Sequence, residues 1–249
     1  MPIPRRIIQT HRSAEIGREL RESWTRHHPD YEYLFFDHEQ RRDFVATHRP
    51  GLLPIYDKLP GIVQQVDLFR YLAVHEIGGI YADADTICCA PLHSYLDLEQ
   101  DHLIAGMEMT LETWRHGAET YMNTYATPFQ ICNWIFAAPK GHTALALMMQ
   151  RIAYYAAQMS PEQLAAWSRA DRFTLELTGP MVWTRILTEF LSGTRPAGLN
   201  QVTVLPRLVW GSLPEDQRVP ANQDTVKVRH LFEGFWKTRS RARTYEVRL

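Results

Sequence analysis

The sequence has little net charge, little cysteine and no long apolar run, and each shortage removes a class of function. With 27 Lys and Arg against 28 Asp and Glu, the formal net charge is -1 at pH 7. No global field draws in a polyanion, so nucleic acid is not an expected partner. Three cysteines, two of them adjacent at Cys88 and Cys89, make neither a disulfide framework nor a C-x-x-C zinc pair, and they point to a reducing compartment. No stretch reaches the roughly twenty apolar residues of a membrane span. The opening Met1-Pro2-Ile3-Pro4-Arg5-Arg6 has no signal-peptide apolar region. The expectation is a cytoplasmic protein. Internal repeats, low-complexity tracts and linkers are also missing, and 249 residues suffice for one sizeable core, so a single domain over 1–249 is expected. One charge asymmetry stands out. From Lys227 onward Arg229, Lys237, Arg239, Arg241, Arg243 and Arg248 face only Glu233 and Glu246, and the tail from about 237 could touch anionic lipid at the inner face of a membrane.

What is present alternates between strand and helix signals. Ile7 and Ile8 read as a buried strand, and Ser13 to Trp24 as a helix with a Ser cap. Tyr31 to Phe36 reads as a second strand, and Asp37 to His48 as a helix. Ile62 to Ile77 is the most regular segment. Ile62, Val66, Phe69 and Ala73 share one apolar face, and Gly78 suits the residue that ends a helix. Ile80 to Ile87 reads as a strand whose alternation puts Tyr81, Asp83 and Asp85 on one face. Leu103 to Met107, Ile131 to Ala137, Val202 to Leu205 and Val226 to His230 read as later strands. Thr143 to Met159 and Met181 to Leu191 read as helices, with a capping box at Ser160 and Thr178 as a further cap. The pattern predicts an α/β fold, a mixed, mainly parallel sheet flanked by helices, with ligands at the carboxyl ends of its strands.

Chemistry concentrates in Asp83-Ala84-Asp85. Two carboxylates separated by one small residue can share a hard cation such as Mn²⁺ or Mg²⁺, and such a cation can bridge a diphosphate and offset the charge on a leaving group. A turn earlier, Asp67 and Arg70 stand three apart on one helix. They read either as a salt bridge or as a pair that binds sugar hydroxyls.

The run Gln65-Val66-Asp67-Leu68-Phe69-Arg70-Tyr71-Leu72, followed by Gly78-Gly79-Ile80-Tyr81-Ala82-Asp83-Ala84-Asp85, resembles the sugar-binding region of glycosyltransferase family 32. Weaker resemblances lie at Ile3 to Thr10, at Thr178-Gly179-Pro180 and at His230 to Lys237. The resemblance implies a GT-A fold, a divalent metal, and retaining transfer from a UDP- or GDP-sugar to a saccharide or other hydroxyl acceptor. It implies Asp85 as principal metal ligand, Asp83 between ribose and a water on the metal, and Tyr81 near the ribose and phosphates. Asp67 and Arg70 would hold the donor sugar, Asn133 would lie near it, and Gln9 and Thr10 would meet the nucleoside. His230 would contact metal or diphosphate, and the Trp236 indole could donate to a phosphate. Asp83, Asp85 and Arg70 would carry the catalysis. Where the family often has a base-stacking Trp, this chain has His11-Arg12-Ser13, and Phe235 stands where the family has Ser. Acceptor-side loops are expected between Met107 and Phe129.

Two rivals compete. Asp83-Ala84-Asp85-Thr86 also fits the Asp-x-Asp-x-Thr nucleophile motif of haloacid-dehalogenase-like phosphatases, although no Asp-Asp pair follows downstream. A sugar-nucleotide-binding protein without turnover is the non-catalytic alternative.

Overall fold

A computed structural model describes residues 1–15, 17–100, 102–113, 119, 127–191, 201–211, 213 and 224–232. Trp236, Phe235, the basic tail and much of the expected acceptor-loop region lie outside the described residues.

The chain opens with β1 (Arg6–Thr10), α1 (Arg18–His27), β2 (Glu32–Phe36), α2 (His38–His48), α3 (Leu53–Lys58) and α4 (Ile62–Ile77). Then come β3 (Gly79–Ala82), β4 (Thr86–Cys88), β5 (His102–Thr110) and β6 (Phe129–Ala138). Four helices follow: α5 (Thr143–Gln158), α6 (Pro161–Trp167), α7 (Asp171–Leu177) and α8 (Pro180–Leu191). Strands β7 (Gln201–Leu205) and β8 (Val228–His230) come last. The central sheet has the order β2-β1-β3-β6-β5-β7, and only β6 runs antiparallel to its neighbours. A two-stranded sheet pairs β4 with β8. This is the mixed, mainly parallel sheet flanked by helices that the strand and helix signals predict.

Each sheet face buries its own apolar cluster. On one side Leu68, Phe69 and Tyr71 of α4 pack with Phe136, Met148 and Trp183. On the other Trp24 of α1 packs with Ile7, Ile80, Trp134, Trp210 and Val228. Gly78 ends α4 at φ 67, and Gly79 opens β3 at φ 117. A Cβ on Gly79 would stand 2.7 Å from the Arg6 carbonyl oxygen, so glycine is what lets β3 lie directly against β1.

Four expectations change. The strand expected over Ile80 to Ile87 stops at Ala82, and Asp83-Ala84-Asp85 forms a turn by which the chain leaves the central sheet for β4. Alternation along one strand therefore does not bring the carboxylates together; the turn does. The first helix begins at Arg18 behind Gly17, which is left-handed at φ 68, and among the described residues Ser13 accepts from the Glu15 backbone N–H alone. The chain between β1 and α1 passes instead along the Asp83–Asp85 turn, where a Cβ on Gly17 would lie 3.5 Å from the Ala84 carbonyl. Thr178 does not open the following helix: it closes α7, with its N–H on the Thr174 carbonyl, and its hydroxyl donates to Asp67. Finally, α4 is not buried along one stripe: every residue from Asp67 to His75 is buried, so Asp67 and Arg70 do not face solvent. None of the described helices is long and apolar enough to cross a membrane.

Candidate active site

Asp67, Arg70 and Tyr71 stand at i, i+3 and i+4 on α4 and face β6. Asp67 is only 3% exposed and Arg70 4%. Burying ions at that depth is costly unless their hydrogen bonds are completed; here both Asp67 oxygens and the Arg70 Nη groups are engaged, while Arg70 Nε has no partner among the described residues. Arg70 pairs with Asp67 Oδ1 at 3.3 Å and Asp83 Oδ1 at 3.1 Å, and donates to the Asn133 carbonyl at 2.7 Å. Its guanidinium carbon lies 4.8 Å over the Tyr81 ring. Asn133 Nδ2 donates to Asp67 Oδ1 at 3.2 Å and to the Tyr71 hydroxyl at 2.9 Å. Tyr71 donates to the Thr178 carbonyl, and Thr178 Oγ1 donates to Asp67 Oδ2 at 2.7 Å.

One guanidinium serves two carboxylates. Burial pushes the Asp67 carboxyl up to about 6, although Arg70 and the Thr178 hydroxyl pull the other way. Burial also raises Asp83, against the pull of Arg70. The unfolded Asp67 titrates near 3.8, so between that pH and about 6 the folded chain keeps a proton the unfolded chain has lost. Stability from this group therefore falls as pH rises through that window. Asp67→Asn removes the titration, so the wild-type Tm is expected to drop relative to the variant's as pH rises across it. Paired thermal melts check this, and a pH-independent difference would refute it.

The Asp83–Asp85 turn is fixed from three sides. The Asp83 N–H donates to the Trp134 carbonyl at 2.8 Å. Its carbonyl accepts from Thr86 Oγ1 at 2.6 Å and Gln9 Nε2 at 3.1 Å. Tyr81 donates to Asp83 Oδ1 at 2.6 Å. Asp85 is tied to β8: its carbonyl accepts from the Leu231 N–H at 2.9 Å, and its Oδ1 from His230 Nε2 at 3.1 Å. His230 pairs with Thr86 across β4 and β8 and stacks on Trp134, with ring centroids 4.5 Å apart. Burial would lower the His230 pKa, but the Asp85 carboxylate outweighs it and holds the imidazole above its ordinary value. Alternation along β6 serves both halves of the site, sending Asn133 to α4 and Trp134 to His230.

Ligand atoms of Asp83, Asp85 and His230 all lie within 4.8 Å of one another. Two carboxylates and an imidazole fit a divalent cation, and the oxygen majority suits Mn²⁺ or Mg²⁺. The surplus of negative charge around Arg70 points the same way.

Gln9 and Thr10, expected to meet the nucleoside, are both buried. Gln9 bridges the Tyr33 hydroxyl and the Asp83 carbonyl, while Thr10 donates to the Phe36 carbonyl at 2.6 Å and accepts from Arg41. Their side chains brace the strand ends. Asp67, Arg70, Tyr81, Asp83, Asp85, Asn133 and His230 all converge around the carboxyl end of β3. The sequence reading missed Tyr71, Thr86 and Trp134. Tyr71 was reachable, standing four residues after Asp67 on the same helix side; the other two gain their roles only through distant strand pairing.

Residues 16–106 match the family model described as the glycosyltransferase sugar-binding region containing DXD motif. Asp67, Arg70, Tyr81 and the whole Asp83–Asp85 turn fall inside that match. The match includes the triplet itself, while Asn133 and His230 reach the site from beyond it. The chain is 27% identical over 261 residues to the initiation-specific alpha-1,6-mannosyltransferase of Schizosaccharomyces pombe, covering 94% of this chain and 64% of that protein. It is 37% identical over 97 residues to inositol phosphoceramide mannosyltransferase 2 of the same organism, covering 38% and 28%. The solved structure of PaToxG glycosyltransferase superposes with a TM-score of 0.50 at 18% identity, covering 77% of this chain and 71% of that one. That likeness speaks for the fold, which is of the GT-A type. The chain spans 64% and 62% of the lengths of the first two curated relatives it matches.

Proposed function

We propose that the chain is a metal-dependent glycosyltransferase that moves a hexose, with retention, from a UDP- or GDP-sugar to a hydroxyl of a saccharide or other acceptor. The observation that carries this reading is the meeting of the Asp83, Asp85 and His230 ligand atoms with the buried Asp67–Arg70–Asn133 network beyond the carboxyl end of the central strand β3. Mannose, named for the relatives, is the sugar to try first.

Asp83, Asp85 and His230 would hold Mn²⁺ or Mg²⁺, which supplies Lewis-acid stabilisation of a leaving diphosphate. Asp67 and Arg70 would receive the sugar hydroxyls in a geometry already fixed, so little ordering is left for the moment of reaction. Both Asp67 oxygens accept hydrogen bonds, and Asp83 Oδ1 accepts from Arg70 and Tyr81. Carboxylates held this way are poor nucleophiles, which favours attack by the acceptor on the face the diphosphate leaves, with that phosphate taking the proton.

The test is a thermal-shift panel of UDP, GDP, CMP and their sugars, with and without Mn²⁺. One nucleotide family is expected to raise Tm only with metal. At one hundred times Kd the stabilisation is about 2.7 kcal/mol, roughly 5–10 °C for a chain of this size. No shift with any nucleotide would sink the proposal.

A further inference from the structure

One buried histidine makes two opposite hydrogen bonds at once, and together they fix its charge. His28, the residue that closes α1, is 2% exposed. The Leu92 backbone N–H donates to its Nε2 at 2.8 Å. A backbone amide can only donate, so Nε2 carries no proton; the ring proton sits on Nδ1, which donates to the Trp24 carbonyl at 2.9 Å. Only the neutral imidazole satisfies both neighbours. A second proton would set N–H against N–H at Leu92 and leave a charge below the surface.

What His28 holds is the frame of the metal-ligand cluster. Leu92 lies just past β4, so the histidine fastens the end of α1 to the chain that leaves this strand. Along the same helix, Ser23 Oγ accepts from the Cys88 N–H at 2.9 Å, and Trp24 Nε1 donates to Thr86 Oγ1 at 3.2 Å. Thr86 Oγ1 in turn donates to the Asp83 carbonyl at 2.6 Å, and Thr86 pairs with His230 across β4 and β8. Helix α1 therefore holds β4 at Thr86, at Cys88 and beyond its end at Leu92, and β4 joins the Asp83–Asp85 turn to His230.

We propose that His28 is an acid-sensitive latch: neutral, it holds α1 against β4 and keeps Asp83, Asp85 and His230 in register; protonated, it lets go of Leu92, and the cluster loses its grip on a divalent cation. This rests on reading those three residues as cation ligands, and it adds a control on them. The surroundings of the ring resist the second proton. Tyr31 packs on it with ring centroids 4.7 Å apart, and Trp24 stacks on it at 6.1 Å. Its titratable neighbours are His27 on α1, Asp30 and Tyr31 before β2, and His93 beyond β4. Burial lowers the His28 pKa most, and the charges of His27 and His93 act with it; the bond to Trp24 and the charge of Asp30, itself paired with Arg5 at 3.2 Å, act against. The folded chain thus binds this proton less readily than the unfolded one, which titrates near 6.5. The stability that the latch contributes is complete above that pH and is lost as pH falls from it through the lowered value of the folded state. The sign is opposite to that of Asp67, whose contribution grows as pH falls.

His28→Gln decides it, because a Gln oxygen can accept from the Leu92 N–H as Nε2 does while its amide donates, with no proton to gain. Wild type and variant are melted across pH, and each full chain is titrated calorimetrically with Mn²⁺ at about pH 7.5 and about pH 5.5, either side of the ordinary histidine value. Protonation of Asp83, Asp85 or His230 weakens both chains alike and cancels in their ratio. The wild-type Tm is expected to fall relative to the variant's below pH 6.5. Its Mn²⁺ affinity should match the variant's at the higher pH and be about 3- to 10-fold weaker at the lower, since one pH unit on a single titration changes binding by at most about tenfold. Ring ¹⁵N shifts of the wild type, which need no variant, should show His28 as the Nδ1-protonated tautomer at the higher pH. An Nε2-protonated ring, parallel melts, or a Mn²⁺ ratio equal at the two pH values would overturn the latch. Failure of both chains to bind Mn²⁺ at the higher pH would overturn the cation-site reading and the control on it together.

Discussion

Asp85→Asn is expected to lower turnover of a nucleotide-sugar by about 10²- to 10⁴-fold, as loss of several kcal/mol of charge stabilisation implies, and to abolish Mn²⁺-dependent stabilisation by nucleotide. Asp85 is one of only two carboxylates in the ligand cluster, so an uncharged amide there removes half of the anionic charge that would hold the cation. The fold has little reason to suffer. An Asn side chain can still accept from His230 Nε2, and the Asp85 carbonyl keeps its bond to the Leu231 N–H. Unchanged Tm without ligand, lost metal response and collapsed turnover are therefore expected together. Steady-state rates across a Mn²⁺ series check this, and wild-type turnover at wild-type Mn²⁺ would sink the assignment of Asp85. Phosphate release from simple phosphomonoesters, lost in Asp83→Asn, would instead support the phosphatase.

The fold was legible where local signals agree with tertiary context. Ile7 and Ile8 mark β1, Asp37 with Gln40 forms the capping box of α2, and Gly78 closes α4. The reading failed where context overrides periodicity. Period-two alternation continues formally through Asp83 and Asp85, but it cannot show that the chain changes sheets at Ala82. Asp67 and Arg70 count as polar in any periodic pattern, whether solvated or paired in the interior, so their burial was invisible until β6 and Thr178 covered them. His230 meets Asp85 across 145 residues, a pairing that resemblance could suggest and local sequence could not.

Removing the buried cation should cost more stability than any other single change at the site. Arg70→Met would leave Asp67 and Asp83 without their shared guanidinium, and breaking a buried pair from one side costs about 3–5 kcal/mol, roughly a 6–20 °C fall in Tm at this chain length. Arg70→Lys should fall between, since one ammonium cannot reach Asp67, Asp83 and the Asn133 carbonyl together as the guanidinium does. A double variant separates charge from packing. If uncompensated carboxylate is the cause, adding Asp67→Asn to Arg70→Met removes one of the two stranded charges and should raise Tm above that of Arg70→Met alone, a non-additive result expected only for residues in direct contact. Turnover should stay lost in both, because the donor sugar's expected partners are gone in either case. A simple sum of the two single effects would mean that Arg70 acts by filling space, and the case for a site built around a shortage of positive charge would fall with it. A double variant at least as stable as wild type yet still inactive would instead show that the charge arrangement is kept for what it binds, since the fold alone would then be no worse without it.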